Sequence, residues 1–196
     1  MKIILTTSMS GLGGTEHASY RLGTLLNRHG HKIVLASSDG PLVSDAVAHG
    51  MKWHNIDFYQ NGKIGYLKSM LAYIKMLKQE KPDIIHCQMA RIVPACAIAA
   101  KMAAPNARVF YHARGLDAET YPKIAKLFDK LGVYIIANCK HEQEKLVRHG
   151  FPATRIAYTY NALPAVDTAP EKLQKDEGGM SPLSLLRKRA FTQVAS

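Results

Sequence analysis

Lys2-Ile-Ile-Leu-Thr-Thr-Ser-Met-Ser-Gly11-Leu-Gly-Gly14-Thr-Glu16-His-Ala18 carries an apolar, β-type run into a glycine-rich turn, and the turn opens an amphipathic helix. Glycines at 11, 13 and 14 let the backbone turn tightly and approach a ligand closely, because no Cβ intervenes. The helix that follows aims its unpaired N–H groups and its partial positive end back at the turn. Gly13, Gly14, Thr15 and Glu16 are therefore candidates for holding a phosphate, a diphosphate or a carboxylate. The pattern is not the dinucleotide fingerprint, because Glu16 stands where its last glycine belongs, and no Gly-Lys-Ser/Thr of a P-loop is present. A plain strand-to-helix turn that binds nothing is the other reading, with Glu16 complementing the helix dipole.

Outward from that stretch, strand and helix signals alternate. The strand-like runs are 2–7, 32–37, 52–56, 83–87, 107–112, 133–137 and 155–160. Helical patterns lie near 15–29, 41–49, 64–80, 92–103, 118–131 and 139–149. In the first helix Ala18, Leu22, Leu25 and Leu26 share a face, and Gly30 is placed to end it in a left-handed cap, as Gly150 is for the sixth. This alternation predicts an α/β fold: a doubly wound, mostly parallel, Rossmann-like sheet of seven strands with helices on both faces. Ligands of such sheets gather at the carboxyl ends of the strands, so the loops after 7, 87, 112, 137 and 160 are where chemistry is expected. After residue 165 the chain turns polar, Gly178-Gly179 interrupts it, and no strand–helix unit follows, so residues 166–196 read as a polar linker and an unpacked tail.

The chain has 196 residues, 47% of them hydrophobic and 21% charged, the composition of one globular domain with an appendage. It contains no apolar run of membrane-spanning length, and Lys2 is followed by a short β-rich run where a signal peptide has a long apolar one. Cys87, Cys96 and Cys139 form no Cys-x-x-Cys pair and sit in apolar surroundings. A reduced, cytoplasmic protein with buried thiols is the expectation, and His29-Gly-His31 falls at a helix-to-strand turn with no nearby Cys or paired carboxylate, so no metal is expected.

Charge is the less ordinary property. Lys and Arg number 26 against 15 Asp and Glu, a net +11. Residues 1–165 hold 21 of those bases and 11 of the acids, so the excess belongs to the folded part. Anionic partners follow: a phosphorylated substrate, an acidic lipid surface or nucleic acid. With no zinc-finger spacing and no RNA-binding aromatic signature, nucleic acid is excluded from the reading. In the helix near 64–80, Ile64, Leu67, Leu71 and Ile74 form an apolar stripe, and Lys68, Lys75 and Lys78 read as a basic row on another face. Such a helix lies on an anionic membrane surface or simply covers the sheet with its lysines solvated; the residues leave both open.

Several segments resemble a known family. Gly13-Gly14-Thr15-Glu16 with Leu22 and Arg28-His-Gly-His-Lys-Ile-Val-Leu35 resembles the opening of the family-four retaining glycosyltransferases of the GT-B fold. The resemblance continues in Lys81-Pro-Asp83-Ile-Ile-His86, in Val109-Phe-Tyr-His112, in Ile135-Ile-Ala-Asn138-Cys139 and in Arg155-Ile-Ala-Tyr-Thr-Tyr-Asn161-Ala-Leu. These pieces keep the family's order and spacing over residues 1–165.

The resemblance implies the N-terminal, acceptor-side domain of a two-domain enzyme that moves a sugar, with retention, from a nucleotide-sugar co-substrate to a cell-envelope saccharide or lipid-linked acceptor. The family's pair of donor-domain glutamates eight positions apart has no match among Glu16, Glu80, Glu119, Glu142, Glu144, Glu171 and Glu177. The expectation is a truncated or frameshifted product, or half of a split enzyme completed by a donor-domain partner chain, its open cleft wall inviting self-association. By the same resemblance His112 is the catalytic candidate, facing the reacting sugar, and Asn161 closes the acceptor domain. His86 and Arg91 are candidates for an anionic acceptor, and Arg114, with its forked guanidinium, for a phosphate. The other readings are a packed strand-end histidine for His112, a satisfied core histidine for His86, and a solvated charge for Arg114. For the chain as a whole the alternative is a non-catalytic α/β module that binds a phosphorylated or saccharide ligand. A location on the inner face of the membrane would suit a lipid-linked acceptor.

Overall fold

The computed structural model of the chain describes residues 1–8, 11–59, 62–116 and 119–160, with only the backbone of Lys63; Asn161 and everything after it lie outside the described residues. Among the described residues seven strands, β1 (Lys2–Thr6), β2 (Lys32–Ser37), β3 (Lys52–Asn55), β4 (Ile84–Cys87), β5 (Arg108–Ala113), β6 (Tyr134–Ala137) and β7 (Ile156–Tyr158), alternate with six α-helices. The helices are α1 (Gly14–Arg28), α2 (Val43–Ala48), α3 (Gly62–Glu80), α4 (Val93–Ala103), α5 (Thr120–Leu131) and α6 (Lys140–Arg148). The strands form one sheet in the order β3-β2-β1-β4-β5-β6-β7, every pair parallel. Each element lies within two residues of its sequence expectation.

Alternation along the strands divides the core. Ile3, Leu5, Ile33 and Leu35 pack with Leu42, Val43 and Ala46 around α1 and α2. Ile4, Val34, Ile85, Val109, Tyr111 and Ile135 turn the other way, toward residues of α3, α4, α5 and α6. Strands covered on both faces read as nearly continuous apolar runs, which is how they stand in the sequence. Gly30 and Gly150 do close α1 and α6 in the left-handed region, at φ 80° and 93°.

Two helices face differently from their hydropathy. On α1 the fully buried residues are Ser19 and Gly23, Leu22 and Leu26 flank them, and Leu25 is exposed. Gly23 seats the helix: a Cβ there would stand 2.6 Å from the Met51 sulfur and 3.0 Å from Leu5 Cδ1. On α3 the rotation is larger. Ser69, Tyr73, Met76, Leu77 and Glu80 are the buried face, while Ile64, Leu67 and Leu71 are exposed. Lys68, Lys75 and Lys78 are exposed too, and at 100° per residue they fall among those apolar side chains and not on a separate face.

The buried face of α3 is polar in part because each polar atom finds a partner. Ser69 Oγ donates to the Asp57 carbonyl at 2.5 Å, and the Tyr73 hydroxyl shares a 2.7 Å hydrogen bond with Thr6 Oγ1. Glu80 accepts from Lys2 Nζ (3.2 Å), Lys52 Nζ (2.5 Å) and His54 Nε2 (3.1 Å), clasping α3 to the starts of β1 and β3. Burial works to raise the Glu80 pKa, but the hydrogen bonds from Lys52, Lys2 and His54 outweigh it and hold the carboxyl at about 2, against an ordinary 4.5. The resulting stability is complete above about pH 4.5 and is lost as pH falls toward 2. Glu80→Gln is therefore expected to lower stability at pH 7 by roughly 1–3 kcal/mol and to flatten that acid limb in urea unfolding. A variant as stable as the parent at pH 7 would show that the clasp contributes nothing.

Candidate functional site

The carboxyl ends of β4 and β5 and the loops beyond them enclose a cavity of about 500 Å³. Register decides which side chains reach it. His86 pairs with Phe110, so His112 falls on the same face of the sheet one step further along β5. Their rings stack at 5.5 Å between centroids, with planes 23° apart. Gln88 and Arg114 follow two residues after each histidine, and Arg114 Nη2 donates to Gln88 Oε1 at 2.9 Å. Gly115, at φ 96°, turns the chain away from β5 in a conformation only glycine adopts freely. Tyr121 then fixes the loop: it accepts from the Leu116 N–H at 2.8 Å and donates to Glu142 Oε1 at 2.5 Å.

What distinguishes this cluster is unspent hydrogen-bonding capacity. Among the described residues His86 Nε2, both ring nitrogens of His112, Gln88 Nε2 and Arg114 Nε are buried without a partner. Buried polar atoms without partners are rare in folded proteins, and five in one cluster make this the candidate site for a polar ligand. The histidines, each 7% exposed, are held neutral. Burial first, then competition with a proton on His112 and the charge of Arg114, lowers His86 to about 3, and burial with Arg114 lowers His112 to about 4. Neutral imidazole both donates and accepts, which suits sugar hydroxyls.

Arg91, in a 3-10 turn (Ala90–Ile92) ahead of α4, lines the cavity and lies over the Tyr59 ring at 5.3 Å. Among the described residues neither Arg91 nor Arg114 has a carboxylate partner. Thr15 also lines the cavity, whereas Gly13, Gly14 and Glu16 do not. Gly13 has an ordinary extended φ of −73°, and a Cβ on it would meet Glu16 Oε2 at 2.7 Å. The glycine-rich turn thus carries its own carboxylate at the helix N-terminus, and the cationic groups of the cavity are the two arginines. Of the residues singled out from the sequence, Arg91, His112, Arg114 and Thr15 line the cavity and His86 stacks on His112 outside that lining; Gln88 and Tyr59 were missed. Gln88 had a signal, a polar residue two places beyond a strand-end histidine. Asn161 lies outside the described residues. Lys68, Lys75 and Lys78 are on α3, away from the cavity lining. Among the described residues no three His, Cys, Asp or Glu side chains converge as metal ligands.

A parallel sheet of this order with a cavity at its strand ends defines a Rossmann-like domain. Residues 12–165 match the model of Glycosyltransferase Family 4, and the chain belongs to that family. No curated protein matches it in sequence. Among solved structures it is similar to a glycosyltransferase from Rickettsia africae (TM-score 0.71, 15% identity, covering 100% of this chain and 50% of that one). It is also similar to Anabaena Alr3699/HepE in complex with UDP-glucose (TM-score 0.67, 17% identity, 100% and 50% covered). The same fold occurs in a UDP-N-acetylglucosamine 2-epimerase described from Listeria monocytogenes (TM-score 0.57, 14% identity, 79% and 44% covered). At such identities the likeness concerns the fold. The chain spans about half the length of these proteins.

The depressed histidines give a pH signature. Unfolded histidine titrates near 6.5, so the folded chain loses stability as pH falls from about 6.5 toward 4 and 3, where burial must be surrendered to protonate them. His112→Gln is expected to shed part of that slope when urea unfolding is compared at pH 7, 5.5 and 4. An unchanged slope would mean that His112 titrates alike in the folded and unfolded chain.

Proposed function

We propose that this chain is the acceptor-side half of a glycosyltransferase site, moving a sugar from a nucleotide-sugar to an anionic saccharide or phosphorylated acceptor, lipid-linked acceptors included. The observation that carries the reading is the set of unpartnered polar atoms of Gln88, His112 and Arg114 at a cavity that Arg91 also lines, with His86 stacked on His112 beside it. Family membership supports sugar transfer, and the UDP-glucose complex of HepE supports a uridine diphosphate donor. The donor's nucleotide is gripped by a second domain outside these residues, belonging to a longer polypeptide or a partner chain. Retention comes from the family resemblance.

In the transfer, the bond from the sugar's anomeric carbon to the diphosphate oxygen breaks and a bond to the acceptor hydroxyl forms. The hydroxyl proton leaves to the departing phosphate or to solvent. Positive charge grows on the sugar and negative charge on the diphosphate. His112 offers a neutral, fixed imidazole to the sugar's hydroxyls, and Arg114 offers its guanidinium to phosphate oxygens. Groups preorganised in this way stabilise the transition state without rearranging during the reaction. His112→Gln is expected to lower kcat by about 10²–10³ in the two-domain enzyme, the usual loss for one such contact.

Titration calorimetry of the chain against glycosyl phosphates, free nucleotides and nucleotide-sugars tests the division of labour. Expected is binding of a glycosyl phosphate, weakened about tenfold or more in Arg114→Met, with no binding of nucleotide. A chain that holds UDP-sugar by itself would contradict the two-domain reading. Glycosyl phosphate binding with no turnover, once a donor domain is supplied, would favour the non-catalytic binding module.

A further inference from the structure

The outward side of α3 is the largest feature that sugar transfer leaves unexplained. Ile64, Leu67 and Leu71 are 74%, 58% and 59% exposed, within two turns of one helix. Exposed apolar residues are common singly; three in a row at spacings of three and four form a patch. Lys68, Lys75 and Lys78 lie among them, all exposed. The only acid in α3 is Glu80, buried on the opposite side and committed to Lys2, Lys52 and His54. The face is thus apolar and cationic, and α3 itself brings no negative charge to it.

We infer that this face of α3 docks the protein on an anionic lipid bilayer. A bilayer surface matches both properties at once. Its acyl region takes up Ile64, Leu67 and Leu71, and lysine stems stretch along the boundary to leave their ammonium groups among anionic headgroups. The face also has a useful position. Tyr59, on the rim of the cavity, precedes α3 by three residues, and the Phe58 ring packs on Tyr66 at 5.9 Å, pinning the first turns of the helix beside that rim. The inference does not depend on glycosyl transfer, because vesicle binding requires no donor and no acceptor.

Co-sedimentation of the full chain with vesicles of phosphatidylcholine alone, and of phosphatidylcholine with phosphatidylglycerol, tests it. Binding is expected only with the anionic lipid, and it should weaken as salt rises. Two triple variants probe the two components: Ile64→Gln, Leu67→Gln, Leu71→Gln, and Lys68→Glu, Lys75→Glu, Lys78→Glu. Each is expected to lose at least about tenfold in partitioning, since each basic residue near an anionic surface contributes roughly fivefold. Because the side chains are exposed, both variants should retain the parent's thermal unfolding, which verifies that they fold. Leu67→Trp supplies an independent readout, a blue-shifted emission on anionic vesicles alone. No binding to anionic vesicles, or equal binding by all variants, overturns the inference. So does a sedimentation-velocity result in which the chain is dimeric and the apolar variant monomeric, since a second copy would then cover the face.

Discussion

Everything at the candidate site depends on the register of one strand pair. With His86 opposite Phe110, parallel β4 and β5 carry His86 and His112 on the same face, and Gln88 and Arg114 just beyond them. A slip by one residue would send His112 to the other face of the sheet. The register is held from both sides. β4 pairs with β1 along Ile3–Thr6, and β5 pairs with β6 from Phe110 to Ala113. The core residues Ile85, Val109 and Tyr111 lock it by packing on α4 and α5. A packed apolar core thereby holds a set of buried polar atoms without partners, a local instability that the rest of the fold can sustain.

The charges are distributed by the same logic. At the amino-terminal end of the sheet Glu80 is saturated by Lys2, Lys52 and His54, and that end is structural. At the carboxyl-terminal end the arginines have no carboxylate among the described residues, and the histidines are kept neutral. A cluster of donors with little negative charge of its own suits an anion or a polyhydroxylated ligand better than a cation. The opposite ends of one sheet thus separate the ion-paired cluster from the unpaired one.

How much of this was legible in the sequence follows from what each residue's placement depends on. Strand and helix order depends on local pattern, and it was readable to within two residues. His112 and Arg114 were readable because a strand end fixes where a side chain goes. The facing of α3 was not, because hydropathy weighs Ser69, Tyr73 and Glu80 as polar and so outward. Their burial rests on partners distant in sequence: Asp57, Thr6, Lys2 and Lys52. The face of α1 was missed for a related reason, since it seats on Gly23, whose value lies in its missing side chain. Gln88 was overlooked because its role depends on Arg114, twenty-six residues later.

The central claim is that His86 and His112 are neutral and wait for a ligand. Heteronuclear NMR of the imidazole nitrogens at pH 6, with and without a glycosyl phosphate, tests it most directly. The account predicts neutral tautomers for both rings before addition, and shifts on addition confined to His86 and His112, with His29 and His141 unmoved. Protonated imidazolium at either site in the free protein, or shifts that spare both rings while a glycosyl phosphate binds elsewhere, would contradict it.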